Sequence, residues 1–211
     1  MAAEKEHARL MAMTETERAF WTKGVYPAGM DEVGRGPLAG PVVAACVILP
    51  QEPLIEYVND SKKLSAKRRE MLYPRIKESA TAYGLGWVGQ EEIDQINILN
   101  ATKKAFCIAY TAMGCPCEEA LVDAVSGLAI PARQHPIIHG DAASYLIAAA
   151  SILAKVERDA YMDEMHEVYP QYGFNRNKGY GTAEHIAALR EYGPCPLHRK
   201  SFIRGILGGG A

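Results

Sequence analysis

The 211-residue chain has no long hydrophobic segment. Its longest apolar runs, residues 42–49 and 146–154, are far shorter than the ~18 residues that indicate a membrane-spanning helix. Residues 1–9 are charged and contain no apolar core of the kind found in signal peptides. We therefore expect a cytoplasmic protein with no membrane association.

Cysteine is scarce as well, with five residues in all. An odd number without a secretory signal does not form a disulfide framework. Cys115 and Cys117 are the only close pair, and no second pair or suitably spaced histidines accompany them, as a zinc site would require. The pattern indicates reduced cysteines and excludes a structural zinc site.

There is no overall excess of basic charge either, since the net charge is -2. The charge is unevenly distributed, however. Residues 170–211 contain six Lys and Arg against two Glu, which leaves +4 for this segment. A locally basic end can bind phosphates without a basic isoelectric point.

What the chain does contain is a regular succession of helix and strand patterns. Residues 4–23 contain many helix formers and no Gly or Pro, and Gly24 ends them. Two apolar strands are then predicted around a glycine-rich segment at 34–40. The complete prediction is strands at 25–33, 41–49, 81–90, 120–125 and 136–140, helices at 4–23, 65–79, 96–113, 144–162 and 182–191, and a polar loop at 173–181.

This order predicts an α/β fold with a mixed central β-sheet flanked by helices. We expect a helical appendage at 1–24, then one catalytic domain at 25–211 that includes a helical C-terminal segment and a frayed tail at 205–211. In the helix at 144–162, an apolar stripe should face the core, and the residues roughly opposite it are Ser144, Ser151, Lys155 and Arg158.

Four acidic residues stand where predicted strands end, at Asp31, Glu32, Asp123 and Asp141. Ligand sites gather at such strand ends, and converging carboxylates repel one another unless a cation neutralises them. Oxygen ligands alone favour Mg²⁺ or Mn²⁺ over zinc. Two such ions ~3.5–4 Å apart are the usual means of hydrolysing a phosphodiester.

Structural roles are also open to each acid. Asp31 with Glu32, or Asp123, could belong to a turn, and Asp141 could cap the following helix. Neighbouring residues of a strand point to opposite faces. Glu32 therefore joins the cluster only if the strand has already ended, or through its backbone carbonyl, and we expect Asp31 to be the bridging ligand.

Five segments of the chain resemble the ribonuclease HII family, in family order and over nearly the whole length. They read GMDEVGRGPLAGPVV (29–43), NDSKKLS (59–65), AAASILAKV (148–156), KGYGT (178–182) and HRKSF (198–202). The resemblance implies a ribonuclease H-like fold and a site in which all four acids bind Mn²⁺ or Mg²⁺ and are catalytic.

The resemblance also implies the substrate. The backbone of Gly34, Arg35 and Gly36 and the ring of Tyr180 would sense the 2′-hydroxyl that distinguishes RNA from DNA. The candidate phosphate contacts are Arg35, Ser61, Lys62, Lys63, Arg199 and Lys200.

The implied reaction is endonucleolytic hydrolysis of the RNA strand in RNA–DNA hybrids and of single ribonucleotides embedded in duplex DNA. The cut would fall 5′ of the ribonucleotide and leave a 3′-hydroxyl and a 5′-phosphate, by a two-metal mechanism. We expect a monomer whose partner is the duplex.

Some positions depart from the family pattern, and two rival functions stay open. Asn177 stands where a basic residue or histidine is usual, Glu157 replaces a threonine, and Ser144 lies in an unusual sequence. Lys155 could contact phosphate or form an internal salt bridge. The rivals are the sister enzyme ribonuclease HIII, which usually carries an additional N-terminal domain, and a hybrid-binding module without catalysis.

Overall fold

The computed structural model describes residues 2–208 and contains one five-stranded mixed sheet. Its strands are β1 Ala28–Val33, β2 Val42–Ile48, β3 Ala82–Val88, β4 Glu119–Asp123 and β5 Arg133–Ile137. Their order is β3-β2-β1-β4-β5, in which β2 runs antiparallel to β1 and β3, while β1, β4 and β5 are parallel. The predicted fold class is confirmed.

Helices cover both faces of this sheet. They are α1 Ala2–Met13, α2 Glu15–Trp21, α3 Ala66–Ser79, α4 Gln90–Ala112, α5 Gly140–Ala143, α6 Tyr145–Val168, α7 Phe174–Asn177, α8 Ala183–Tyr192 and α9 Lys200–Ile203, with 3₁₀ turns at Ser61–Lys63 and Pro170–Tyr172. Strand β2 shows how the layers form. Val43, Ala45 and Val47 pack in one core with α6, while Val42 and Ala44 pack in the other with α4.

Helix α6 differs from the predicted amphipathic helix. All residues from 145 to 154 are buried. The buried residues include Ser144, Ser151 and Arg158 of the predicted polar side. Lys155 donates to Asp159 Oδ1 at 2.7 Å, which gives the internal salt bridge of the two alternatives. The helix is covered on its far side because the C-terminal segment and the loop after β1 pack there.

Several other boundaries differ from the prediction: α4 begins at Gln90 rather than at 96, α6 ends at Val168 rather than at 162, and three further differences have a local cause. The predicted helix at 4–23 is two helices, since the chain breaks at Thr14, whose hydroxyl donates to the carbonyl of Met11. The strand predicted at 136–140 lies earlier, because His139 adopts a positive φ of 55° and Gly140 already begins α5. The polar segment at 173–181 is not all loop, since it contains α7.

The N-terminal helices pack directly on the core. Leu10 and Met13 belong to the hydrophobic cluster beneath α6, and Glu17 is fully buried. At the other end, residues 205–208 form a turn, while 209–211 of the predicted frayed tail lie outside the described residues. None of the helices described is long and apolar enough to cross a membrane.

Candidate metal centre

Sheet topology brings three of the four predicted acids together. Strands β1 and β4 are parallel neighbours with Met30 opposite Val122, so Asp31 and Asp123 stand side by side at the end of the pair. Asp141 follows β5 in α5. One carboxylate oxygen from each lies within 4.8 Å of the others.

Local hydrogen bonds fix the orientation of each aspartate. Asp31 Oδ1 accepts from the backbone N–H of Glu32, and Asp123 Oδ1 accepts from that of Gly140, both at 2.7 Å. Asp141 Oδ2 accepts from Lys62 Nζ at 2.9 Å. Among the described residues, 2–208, each aspartate keeps one oxygen without such a bond, and these oxygens are available to a cation.

The carboxylates of the cluster are difficult to ionise together, and a bound cation would stabilise their charged forms. Burial and then the charges of Glu32 and Asp123 raise the pKa of Asp31 well above its usual range. Burial also raises the pKa of Asp123, against the effect of its bond from the Gly140 N–H. In the part of the chain described, Lys62 is the one ammonium bonded to any of these three carboxylates. Its partner is Asp141, which raises the pKa of Lys62.

Glu32 is not among the three carboxylates whose oxygens lie within 4.8 Å of one another, yet its charge acts on Asp31. Strand β1 continues through it to Val33, and neighbouring residues of a strand alternate between the two faces. Its Oε1 is 3.4 Å from Arg35 Nη1, while Oε2 is buried and has no hydrogen-bond partner among residues 2–208. Burial raises the pKa of Glu32, and the Arg35 charge opposes this.

The donor set fits a hard divalent cation. The cluster offers carboxylate oxygens alone, in a buried position and with raised pKa values for Asp31 and Asp123. The unpartnered Oε2 of Glu32 is a further buried acceptor beside it. Asp31, Asp123 and Asp141 would hold Mg²⁺ or Mn²⁺, with Glu32 as the adjoining carboxylate.

The glycine-rich loop after β1 lies against Tyr180. A methyl group at Gly36 would lie 3.8 Å from Tyr180 Cε1, in van der Waals contact, so the two predicted ribose-sensing elements are neighbours. Gly34 has no such room. Its φ is +93°, and an added Cβ would come within 2.3 Å of Arg158 Nε.

Hydrogen bonds with Asn177 and His185 hold the backbone around Tyr180, and His185 in turn contacts His198. The side chain of Asn177 accepts from the N–H of Gly179 at 2.8 Å and donates to the carbonyl of Tyr172. This structural role accounts for the departure from the family pattern at Asn177. His185 Nδ1 lies 2.8 Å from the Tyr180 carbonyl.

The two histidines form a directional chain of hydrogen bonds. The N–H of Cys195 donates to His198 Nδ1 at 3.0 Å, so the proton of neutral His198 is on Nε2. That nitrogen is 3.0 Å from His185 Nε2, which must accept. His185 therefore carries its proton on Nδ1 and donates to the Tyr180 carbonyl.

The predicted phosphate contacts fall into two groups. Arg35, Lys62, Lys63 and Lys200 are exposed, and 77% of the Lys62 side chain is accessible. Ser61 is buried, with its N–H bonded to Ser151 Oγ.

Arg199 requires a correction. It is fully buried, and its nitrogens donate to the carbonyls of Gly34, Arg35 and Gly40, so no phosphate reaches it in this arrangement. Its contacts make it a support for the loop.

Two contributors were missed from the sequence. Arg158 donates to the carbonyl of Pro41, 117 residues away, and a bond to a distant backbone atom leaves no local sequence signal. The same holds for Glu17, whose Oε1 accepts from Ser144 Oγ and the N–H of Leu146. The remaining departure, Glu157, accepts from the hydroxyl of Tyr73 and lies outside the cluster.

The architecture and the acidic sheet edge together define a protein with the ribonuclease H-like fold. The family model for ribonuclease HII matches residues 28–205. The chain belongs to the ribonuclease HII family, and it is accordingly an endoribonuclease.

Similar proteins agree with this assignment. Ribonuclease HII of Caldanaerobacter subterraneus subsp. tengcongensis is 54% identical over 98% of this chain and 86% of its own length. The crystal structure of ribonuclease H2 from Pyrococcus horikoshii OT3 has a TM-score of 0.73 at 26% identity, over 87% of this chain and 97% of that one. Bst-RNase HIII in complex with Mn²⁺ shares the fold at 16% identity, with a TM-score of 0.65 over 88% of this chain and 71% of that one.

Proposed function

We propose that this enzyme hydrolyses the RNA strand of RNA–DNA hybrids and cuts at single ribonucleotides in duplex DNA, on the 5′ side, leaving a 3′-hydroxyl and a 5′-phosphate. The observation that carries the proposal is the cluster of Asp31, Asp123 and Asp141, whose oxygens lie within 4.8 Å of one another at the sheet edge. Family membership supports the substrate class.

The residues divide the work between metal and ribose. Divalent ions bound there would activate a water molecule and stabilise the leaving oxygen. The three aspartates, with Glu32 beside them, hold that positive charge. Mn²⁺ is a candidate ion because Bst-RNase HIII is seen with it. Lys62 is placed to release Asp141 and take a phosphate instead, since its side chain is largely exposed.

Recognition of the ribonucleotide rests on the loop and Tyr180. Gly36 is exposed and has no side chain, which lets the backbone approach a sugar closely. Tyr180 is 41% exposed, so it offers both a stacking face and a hydroxyl. A DNA sugar lacks the 2′-hydroxyl that these groups would bind.

Cleavage by two substituted enzymes tests the proposal. With Mn²⁺ or Mg²⁺, Asp31→Asn and Asp123→Asn should each lower kcat at least about 100-fold on a duplex containing one ribonucleotide, because each removes a carboxylate that holds the ions. Glu167→Gln, which alters an exposed carboxylate, should cleave like the wild type. Near-normal cleavage by either aspartate variant would disprove the metal-site assignment.

The same assay separates the rival functions. A wild-type enzyme that cuts a long RNA–DNA hybrid but leaves a single embedded ribonucleotide intact would have the specificity expected of ribonuclease HIII. Duplex binding without turnover at any metal concentration would indicate a binding module. The 5′-phosphate and 3′-hydroxyl ends are checked by ligating the products back together.

A further inference from the structure

Two buried arginines meet beneath the glycine-rich loop. Arg158 and Arg199 have no exposed surface, and no carboxylate of residues 2–208 forms a salt bridge with either of them. Burying an unpaired guanidinium costs several kcal/mol unless its donors are satisfied. Here the acceptors are six backbone carbonyls.

Arg199 fixes the direction of two peptide groups in the loop. Its Nη2 donates to the Gly34 carbonyl at 2.6 Å and its Nη1 to the Arg35 carbonyl at 2.9 Å. In a trans peptide the C=O and the N–H point in opposite directions. Because both carbonyls point inward, the N–H groups of Arg35 and Gly36 point outward, on two exposed residues.

Those two N–H groups are free to serve a ligand. Within residues 2–208 neither the N–H of Arg35 nor that of Gly36 donates a hydrogen bond. A guanidinium bonded to the carbonyl of a peptide also polarises that peptide, which strengthens its N–H as a donor. The arrangement is a pair of outward donors with positive charge behind them, beside the ring of Tyr180.

Arg158 fixes the loop relative to Tyr180. Its nitrogens donate to Ala39 and Pro41 at the far end of the loop and to Lys178, two residues before the tyrosine. Its guanidinium carbon lies 5.9 Å from the centre of the Tyr180 ring, within the range of a cation–π contact. One side chain thus connects both ribose-facing elements.

We propose that Arg158 and Arg199 are positioning residues for ribonucleotide recognition, which hold the loop carbonyls inward so that the Arg35 and Gly36 amides and the Tyr180 ring meet the 2′-hydroxyl together. The inference rests on the proposed function. It assigns to buried arginines a part of the discrimination between ribose and deoxyribose, although neither touches the substrate.

Lysine variants test this while keeping the charge. Arg199→Lys and Arg158→Lys each retain one cation, but a compact ammonium lacks the planar fork by which the guanidinium reaches three separate carbonyls. Dissociation constants are measured by fluorescence anisotropy in EDTA, for a duplex with one ribonucleotide and the same duplex made of DNA alone. We expect the preference for the ribonucleotide duplex to fall about threefold to tenfold, the effect of a lost hydrogen bond, with DNA affinity unchanged within about twofold.

Controls separate recognition from general damage. Arg18→Lys also replaces an arginine that donates to a backbone carbonyl, that of Met11, within the N-terminal segment, and should keep the wild-type preference. Circular dichroism establishes that each variant is folded at the assay temperature. Folded Arg199→Lys and Arg158→Lys proteins with the wild-type preference would overturn the inference.

A second measurement needs no variant. In the ¹⁵N-labelled wild-type protein, the amide signals of Arg35 and Gly36 should shift on addition of the ribonucleotide duplex and much less with the all-DNA duplex. Unchanged signals in a protein that does cleave at ribonucleotides would refute the outward-amide geometry alone. A wild-type protein with no preference for ribonucleotides would refute the proposed function itself.

Discussion

At the scale of single residues, the candidate metal centre combines strong burial with like charge. Asp31 is 5% exposed and lies beside Asp123 and Asp141. A carboxyl whose pKa rises on folding is harder to ionise in the folded state than in the unfolded chain. At neutral pH, ionised Asp31 therefore destabilises the metal-free folded protein, and bound cations reverse this cost.

Asp31→Asn should consequently stabilise the protein in EDTA while abolishing its response to metal. We expect the Tm in EDTA to rise by a few degrees at pH 7.5, since each kcal/mol shifts Tm by about 2–4 °C at this chain length. The gain should shrink toward acidic pH, where the wild-type carboxyl protonates. Differential scanning fluorimetry with and without Mn²⁺ checks both parts. Equal Tm values of the wild type and Asp31→Asn in EDTA would contradict the prediction.

Individual acids illustrate what residue-level reasoning could reach. Their position after predicted strands indicated an oxygen-ligand site, and the fold brings Asp31, Asp123 and Asp141 together. Glu32 is not among the three carboxylates that meet, and its part in binding metal stays a prediction. The burial of Arg199 could not be foreseen, because an arginine in a basic segment carries no sign of whether its acceptors are phosphates or carbonyls.

At the scale of elements, the N-terminal helix α2 is tied to the start of α6. Glu17 Oε1 accepts from Ser144 Oγ at 2.5 Å and from the N–H of Leu146 at 3.0 Å. The first N–H groups of a helix have no partner within the helix, so this carboxylate caps α6 from outside. Asp141 lies three residues before Ser144, at the same junction.

Glu17→Ala should lower the free energy of unfolding by about 1–3 kcal/mol, because it leaves buried donors without an acceptor. Glu17→Gln keeps an oxygen acceptor and should lose less, the more so because burial raises the pKa of Glu17 and penalises its charge. Urea denaturation measures both.

Glu15→Ala is the matched control, an exposed glutamate in the first turn of the same helix, where a few tenths of a kcal/mol are expected. If Glu17→Ala were no more destabilising than Glu15→Ala, the capping role would be wrong.

The prediction of helices and strands succeeded where a local sequence pattern sets the structure. It failed where packing against distant parts of the chain decides which residues are buried. The apolar run at 41–49 predicted a strand, and all residues of β2 are buried. Helix α6 was expected to have a polar side, yet Arg158 there is buried. Periodicity records one apolar face and cannot show that a later part of the chain will cover the other.

At the scale of the whole molecule, acid should weaken the C-terminal segment through its buried histidines. Burial lowers the pKa of His185, and burial with the charge of His185 lowers that of His198 to about 4. The unfolded chain therefore takes up protons first, near pH 6.5. Stability is present above this pH and is lost as the pH falls toward about 4.

The free energy of unfolding should fall by up to about 3 kcal/mol over this interval from His198. Protonation also turns His198 Nδ1 into a donor, which removes the bond that it accepts from the N–H of Cys195. The buried carboxyls with raised pKa values have the opposite effect, because they increase the free energy of unfolding as the pH falls. The contribution of His198 is therefore the difference between the wild type and a variant that lacks it. Urea unfolding from pH 7.5 to 4.5 should be less pH-dependent in His198→Gln than in the wild type.

His7→Gln, at an exposed histidine, should follow the wild-type pH profile. Equal pH dependence in wild type and His198→Gln would show that the histidine pair does not contribute.

The sequence alone determined the alternation of strands and helices, the strand-end acids and the glycine-rich loop, because these follow from local periodicity and residue chemistry. Family resemblance supplied the substrate. Tertiary structure decided which oxygens meet, where Glu32 lies, and that Arg158 and Arg199 support the loop from below. Most of those contacts join residues far apart in the chain, 117 and 165 positions for the bonds of Arg158 to Pro41 and of Arg199 to Gly34, and only the packed fold sets their distance and burial.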